Sequence, residues 1–265
     1  MLRAFLPLLI TGLLVTGCGK KDSTPAAAAG GSKGPVPQIF HVGNGAEPQD
    51  LDPQAITGVP EHKLMMALFE GLASEDPKDL HPVPAIAETW NISDDGKTYT
   101  FHLRADAKWS NGDVITADDF IQSYKRMLTP AFASEYAYLI YNFVVGAQEY
   151  YKGELKDFSQ VGFKSPDPRT LVVTLKNPTP YLMKIIASHY AWTPVPVRTI
   201  AKYGPIDERR SPWTKPENIV TSGPFLLKEW LPNQKIVVTR NPQYWDAKTV
   251  KLDEIHFYVT EDIST

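Results

Sequence analysis

A single cysteine, Cys18, stands in a chain of 265 residues. Without a second thiol, no disulfide can staple the fold within the chain, so burial must hold it together. The composition allows this. Hydrophobic residues make up 43% and aromatic residues 11%, with six tryptophans and twelve tyrosines able to cover large apolar areas. That content excludes a globally disordered chain. Twenty-three prolines work against long helices and predict short elements joined by many turns.

The position of the cysteine carries a second message. Arg3 precedes the almost wholly apolar run Ala4 to Val15, and Val15-Thr16-Gly17 puts small residues before the thiol. This is the layout of a secretory signal, and it resembles a bacterial lipobox, in which Cys18 is lipidated and becomes the mature N-terminus. The run is short of the roughly 20 residues that a spanning helix needs. An exported, membrane-anchored lipoprotein of the periplasm or cell surface is therefore expected. Three acyl chains would hold it firmly where one alone binds marginally. Gly19 is not the aspartate associated with inner-membrane retention, which leaves the choice of membrane open. Residues 19–35 lack bulky apolar side chains apart from the alanine run and read as a flexible tether, with a random-coil reach of roughly 20–25 Å.

Folding is expected to begin near Gln38, with a strand Gln38 to Val42 entering a Gly43-Asn44-Gly45 turn. Leu64, Met65, Leu68 and Phe69 repeat at helical spacing within Glu61 to Gly71. Ala87 to Ile92 and Thr98 to Leu103 alternate across the Ser93-Asp94-Asp95-Gly96-Lys97 turn, the pattern of a hairpin. Thr116-Ala117-Asp118-Asp119 has the form of a capping box opening a helix through Met127. Tyr136 to Tyr151 reads as helical, Pro166-Asp167-Pro168 as a turn before a strand Leu171 to Leu175, and Pro180 to Ala187 as a short helix. Strands follow at Phe225 to Trp230, Ile236 to Arg240 and Glu254 to Val259. Short strands mixed with short helices make this an α/β (mixed α+β) chain.

Chemistry is harder to find. The sequence holds no G-x-S-x-G, H-E-x-x-H, P-loop or G-x-G-x-x-G motif. Its six histidines are scattered, with no two at helical ligand spacing, and read as isolated surface or core residues. Asp118 and Asp119 suit the first turn of a helix better than general acid/base work. Asp94-Asp95-Gly96 lacks the remaining oxygen ligands of a calcium loop. A formal net charge of −3 argues against nucleic acid as a partner. No enzyme, cofactor or metal is expected. The aromatics Tyr136, Tyr138, Tyr141, Phe143, Tyr150 and Tyr151 form either a core stripe or a ligand-facing wall, and periodicity alone favours the core.

Several segments together resemble the oligopeptide-binding proteins of peptide ABC importers, the bacterial extracellular solute-binding family 5. They are Asn44 to Pro53 (NGAEPQDLDP), Leu68 to Leu72 (LFEGL), Ala87 to Trp90 (AETW), Tyr99 to Arg104 with Ala107 to Gly112, and Val114 to Phe120. Ser222 to Phe225 (SGPF) and Arg240 to Trp245 (RNPQYW) complete the set. Order and spacing agree from about residue 38 to 259.

The resemblance implies a periplasmic-binding-protein-like class II bilobal fold. A first lobe would comprise residues 36–67 and 193–259, interrupted by an inserted domain at 68–192. Residues 1–18 would be the lipoprotein signal and 260–265 the start of a hinge to a far lobe absent from this sequence. It implies a lipid-anchored substrate-binding protein that captures short peptides and delivers them to an ABC permease and ATPase complex, as a monomer. The ligand backbone would pair with Thr57, Gly58 and Val59, and Tyr136 would reach toward the ligand from the inserted domain. Trp90, Trp109 and Trp245 are read as structural. A repurposed envelope lipoprotein, acting as an adhesin or a chaperone-like surface, is the alternative.

Overall fold

The computed structural model describes residues 36–260, so Cys18, the signal, the tether and the final five residues lie outside the described residues. Along the chain come strand β1 (Ile39–Gly45), helix α1 (Val59–Leu68), the small hairpin β2 (Ala73–Glu75) and β3 (Pro82–Pro84), and a longer hairpin β4 (Ala87–Ile92) and β5 (Thr98–Leu103). Helix α2 (Ala117–Leu128) is followed by the short helices α3 (Tyr138–Tyr141) and α4 (Ala147–Tyr151), then β6 (Phe163–Asp167) and β7 (Thr170–Thr174). Helices α5 (Leu182–Ser188) and α6 (Val197–Ile200) lead to β8 (Phe225–Leu231), β9 (Lys235–Arg240) and β10 (Glu254–Val259).

Two four-stranded sheets organise these elements. One is wholly antiparallel, in the order β4-β5-β7-β6. Alternation along β5 turns Tyr99, Phe101 and Leu103 inward, where they meet Leu171 and Val173 of β7 and the buried face of α2 in one core. The Tyr124 ring of α2 packs against Phe163 at 4.7 Å and Trp192 at 5.5 Å between centroids. The other sheet runs β1-β10-β9-β8, with β1 parallel to β10 and the remaining pairs antiparallel. It carries a second core of Leu51, Leu64, Met65, Leu68, Trp213, Phe225, Val238 and Phe257, among others. Both cores lie in one compact unit.

Some elements depart from their sequence pattern for identifiable reasons. The aromatic stretch from Tyr136 does not form one helix. Gly146 adopts φ 69° at the start of α4, and the chain turns there. Strand β6 runs through Ser165-Pro166-Asp167, where a turn is the sequence expectation. Proline is tolerated because β6 is an edge strand and its missing N–H breaks no inner ladder. Helix α1 opens two residues earlier than expected and stops at Phe69, which is already extended, rather than at Gly71. Helix α2 opens as the sequence predicts. Thr116 N–H donates to Asp119 Oδ2 at 2.7 Å, and Asp119 N–H returns to Thr116 Oγ1 at 3.4 Å.

One contact closes the second core on itself, and another ties the two cores together. Ser222 and Gly223 lie against the end of α1. Gly223 N–H donates to Leu68 O at 2.9 Å, Glu70 N–H donates to Ser222 Oγ at 2.9 Å, and a Cβ at Gly223 would come within 2.7 Å of the Leu68 carbonyl carbon. Only glycine permits that approach. The second is a charge pair. Arg126 of α2 is fully buried, and its guanidinium donates to both carboxylate oxygens of Asp52 (3.1 and 2.6 Å) and to Gln54 Oε1 (2.8 Å). Its Nε reaches Ile206 O, and the group lies 4.1 Å from the centroid of the Phe132 ring. Gln54 in turn donates to Ser123 O (2.8 Å), and Ser134 Oγ donates to Gln54 O (2.7 Å).

Removing one partner of such a pair leaves an uncompensated buried charge, which costs about 3–5 kcal/mol. Arg126→Met should therefore destabilise the chain by that amount in urea unfolding. The double variant Arg126→Met/Asp52→Leu should recover most of the loss.

Candidate functional site

The chain from Leu51 to Ile56 is mostly buried and comes to the surface at Thr57. Gly58 is exposed with φ 127° and ψ 163°, a conformation that side chains disfavour, and a Cβ there would lie 2.6 Å from Glu61 Oε2. Val59 is 69% exposed and opens α1, with Pro60 behind it. Gly58 O accepts the first helical bond from His62 N–H at 3.1 Å. Among the described residues, the Thr57 N–H and C=O and the Gly58 N–H have no hydrogen-bond partner. A short bend with free backbone groups is therefore displayed beside α1. Of the three residues expected to pair with a ligand backbone, Thr57 and Gly58 are placed as open backbone, and Val59 already belongs to a helix.

Beside this stretch stands a cluster of rings. Tyr136 is half-buried and touches both cores. It meets His189 edge-on at 4.6 Å, Tyr190 at 5.8 Å and Tyr138 at 6.1 Å. His62, one turn into α1, lies 5.6 Å from Tyr190 and 6.4 Å from His189. Tyr190 Oη donates to Ile56 O at 3.4 Å, which ties the cluster to the residue before Thr57. The structure thus brings Tyr136 and the Thr57–Val59 stretch to one place, with Tyr190 between them. Of the other aromatics in that stretch, Tyr141, Phe143, Tyr150 and Tyr151 pack on the first core, as periodicity favours, while Tyr138 stays 41% exposed.

His62, His189 and Tyr190 are absent from the sequence-derived site. Lone histidines 127 positions apart give no spacing signal. The closest hint is that His62 follows Gly58 by four residues, one turn into the helix that this glycine caps.

The cluster is built to stay uncharged. His189 Nδ1 accepts a hydrogen bond from Ala191 N–H at 3.1 Å, which leaves the neutral ring's proton on Nε2. Burial, helped by the neighbouring His62, lowers the His189 pKa to about 4. Burial lowers His62 as well, against a small opposing pull from Glu75. His189 also lines a small cavity with Met66, Glu70, Ile186, Tyr190 and Tyr244. There the Glu70 carboxyl is pushed up to about 7 by burial, although Tyr244 Oη and Trp245 Nε1 (2.6 Å) both donate to it. Arg104 lies 3.7 Å from the centroid of the Trp245 ring, so Trp245 is engaged in packing, and Trp109 is buried.

Several other carboxylates have local partners. Asp119 is committed to its capping box, and Asp118 accepts from Gln122 at 3.2 Å. Asp76, Asp79 and His81 approach one another at the surface, but their carboxylates accept from Lys78 and His81 N–H within the same turn.

Comparison with known proteins gives the site a setting. Residues 81–265 match the model of the bacterial extracellular solute-binding proteins, family 5 Middle. The periplasmic oligopeptide-binding protein OppA of Escherichia coli (strain K12) is 46% identical over 209 residues, which cover 78% of this chain and 37% of that protein. The crystal structure of Haemophilus influenzae OppA in complex with the peptide RPPGFSPFR superimposes with a TM-score of 0.80 at 38% identity, covering 86% of this chain and 43% of that one. A periplasmic oligopeptide-binding protein of Borrelia burgdorferi matches with a TM-score of 0.80 at 39% identity, covering 85% and 43% respectively. The chain therefore spans less than half the length of these relatives.

The depressed His189 pKa sets a pH dependence. An unfolded histidine takes up its proton near pH 6.5, whereas His189 in the fold waits until about 4. The stability this ring permits is complete above about pH 6.5 and is lost as the pH falls toward 4. His189→Gln should flatten that slope in unfolding measurements between pH 4 and 6.5. The ring's NMR titration should show a midpoint near 4.

Proposed function

The chain belongs to family 5 of the bacterial extracellular solute-binding proteins, and on that footing we propose that it is the near-lobe part of the peptide receptor of an ABC importer. The observation that carries this reading is the free backbone of Thr57 and Gly58 beside the uncharged ring cluster of Tyr136, His189 and Tyr190. A peptide laid along Thr57–Gly58 gains main-chain hydrogen bonds that ignore its side chains, a form of β-augmentation. Gly58, without a Cβ, lets that backbone come close. Tyr136 and its neighbours, packed edge to face, supply an apolar wall with polar tips, suited to side chains of varied chemistry.

In this reading the two cores correspond to two domains. Residues 36–67 and 193–259 form the first lobe around the mixed sheet, and residues 68–192 form the inserted domain around the antiparallel one. Arg126 and its partners Asp52 and Gln54 would fix their mutual placement, so Tyr136 reaches the ligand from the inserted side while Thr57 serves it from the other. Cys18 carries the lipid, and the tether holds the receptor in the periplasm or at the cell surface, near the permease and ATPase complex that takes over the peptide. Closure over the ligand would follow the hinge motions known for binding proteins. No covalent step is required.

The test is direct. A pool of tri- to pentapeptides added to the isotopically labelled chain should shift the backbone amide resonances of Thr57 and Gly58 and the side-chain signals of Tyr136 and His189. Thr57→Pro, which removes one N–H, should weaken the response while leaving the rest of the spectrum in place. Shifts confined to another surface, or a response only to unfolded protein and not to short peptides, would overturn the proposal.

A further inference from the structure

The face of the mixed sheet turned away from its core carries a second group of convergent side chains. Strands β1 and β10 run parallel with His41 directly opposite His256. Side chains alternate along a strand, so Glu254, His256 and Tyr258 of β10 share one face, and Val42, Ile255 and Phe257 share the other with the core. His41 and His256 meet edge-on, with ring centroids 5.0 Å apart, and the Tyr258 ring stacks beside His41 at 5.8 Å.

The nitrogen atoms are ordered around one point. His41 Nδ1 lies 3.0 Å from Tyr258 Oη, and His256 Nδ1 lies 3.5 Å from the same oxygen. The opposite nitrogen of His256, Nε2, is 2.8 Å from Glu254 Oε2. Glu254 is itself held by Lys228 Nζ at 2.5 Å. A carboxylate on Nε2 fixes the ring proton there and leaves the Nδ1 lone pair facing Tyr258 Oη. This is the carboxylate–histidine arrangement that supports metal ligands.

We propose that His41 Nδ1, His256 Nδ1 and the Tyr258 oxygen form a surface site for a borderline divalent metal ion such as Zn²⁺ or Cu²⁺. An ion that holds nitrogen and oxygen at about 2 Å spans ligand pairs roughly 3–3.5 Å apart. The two nitrogens already stand at that distance from the hydroxyl, so small side-chain rotations admit the ion. Two imidazoles with one phenolic oxygen suit zinc or copper rather than calcium or magnesium, which take oxygen ligands. Solvent completes the coordination, since His41 is exposed. Glu254 is a positioning residue, acting through His256. The surface triad Asp76, Asp79 and His81 is the competing location.

Isothermal titration of the chain with Zn²⁺, in a Cys18→Ser background and a non-coordinating buffer, should show one principal site. His41→Ala and His256→Ala should each remove it, and Glu254→Gln should weaken it by about 10–100-fold. His81→Ala should leave it unchanged. With Cu²⁺, a phenolate-to-copper absorption band should appear and vanish in Tyr258→Phe. Circular dichroism of each variant confirms that the sheet is retained. Undiminished affinity in His41→Ala or His256→Ala, or loss on His81→Ala, would overturn the site. Absence of the copper band from the unsubstituted chain would remove Tyr258 from it.

Discussion

The fully buried guanidinium of Arg126 is the interaction on which the remaining geometry depends. Burying a cation without a partner is prohibitive. Asp52, Gln54 and the loop bearing the Ile206 carbonyl must therefore assemble around it, and they come from stretches more than 70 residues away. One consequence is local. The loop from Asp50 to Ile56 cannot wander, so it delivers Thr57 to the surface at a fixed point. The other is global, because helix α2 of one core is fastened to a loop of the other. An apolar pair of equal volume would serve stability as well or better. What the charge adds is direction, since a bidentate fork accepts its carboxylate in one orientation.

The ring cluster is the counterpart of this anchored loop. His62 and His189 could have given the surface beside Thr57 a charge that varies with pH, yet burial keeps both below their ordinary range. Glu70, at the far side of the adjoining cavity, is shifted in the opposite sense by the same cause. Each shift favours the neutral form. A wall of neutral rings and hydroxyls beside free backbone groups discriminates little between side chains, in contrast to a site lined with fixed charges.

Local elements were readable wherever the signal is carried by neighbours in sequence. The capping box at Thr116 and Asp119, the Ser93–Lys97 turn and the alternation of β5 each depend on contacts within a few residues, and each has the expected form. The edge strand through Pro166 was not readable, because its tolerance for proline comes from its place at the sheet margin, a tertiary fact. The same holds for the aromatic stretch, where Gly146 ends what periodicity alone would continue. Of the candidate site, Tyr136 and the glycine at 58 could be reached only through family resemblance. His189 and Tyr190 could not be reached at all, since nothing at position 189 announces that it will meet position 62. The histidines at 41 and 256 were likewise scattered in sequence and are adjacent only because β1 and β10 pair.

That pairing has a consequence in time as well as space. Strand β1 finds its only sheet neighbour, among the described residues, in β10, the last described strand, and Gln38 N–H is bound to Asp253 at a separation of 215 residues. A chain emerging from its N-terminus must therefore keep β1 unpaired until β10, at a separation of 215 residues, has been made. The intervening antiparallel sheet closes through much shorter loops and has no need to wait. Closure entropy grows only with the logarithm of loop length, so the delay costs little stability. It does set an order of assembly: the inner region can consolidate first, and the earliest strand to emerge is among the last to be locked in place. For that interval an edge bearing Ile39 and Phe40 is bare, and it is the part of the molecule most in need of protection while it folds.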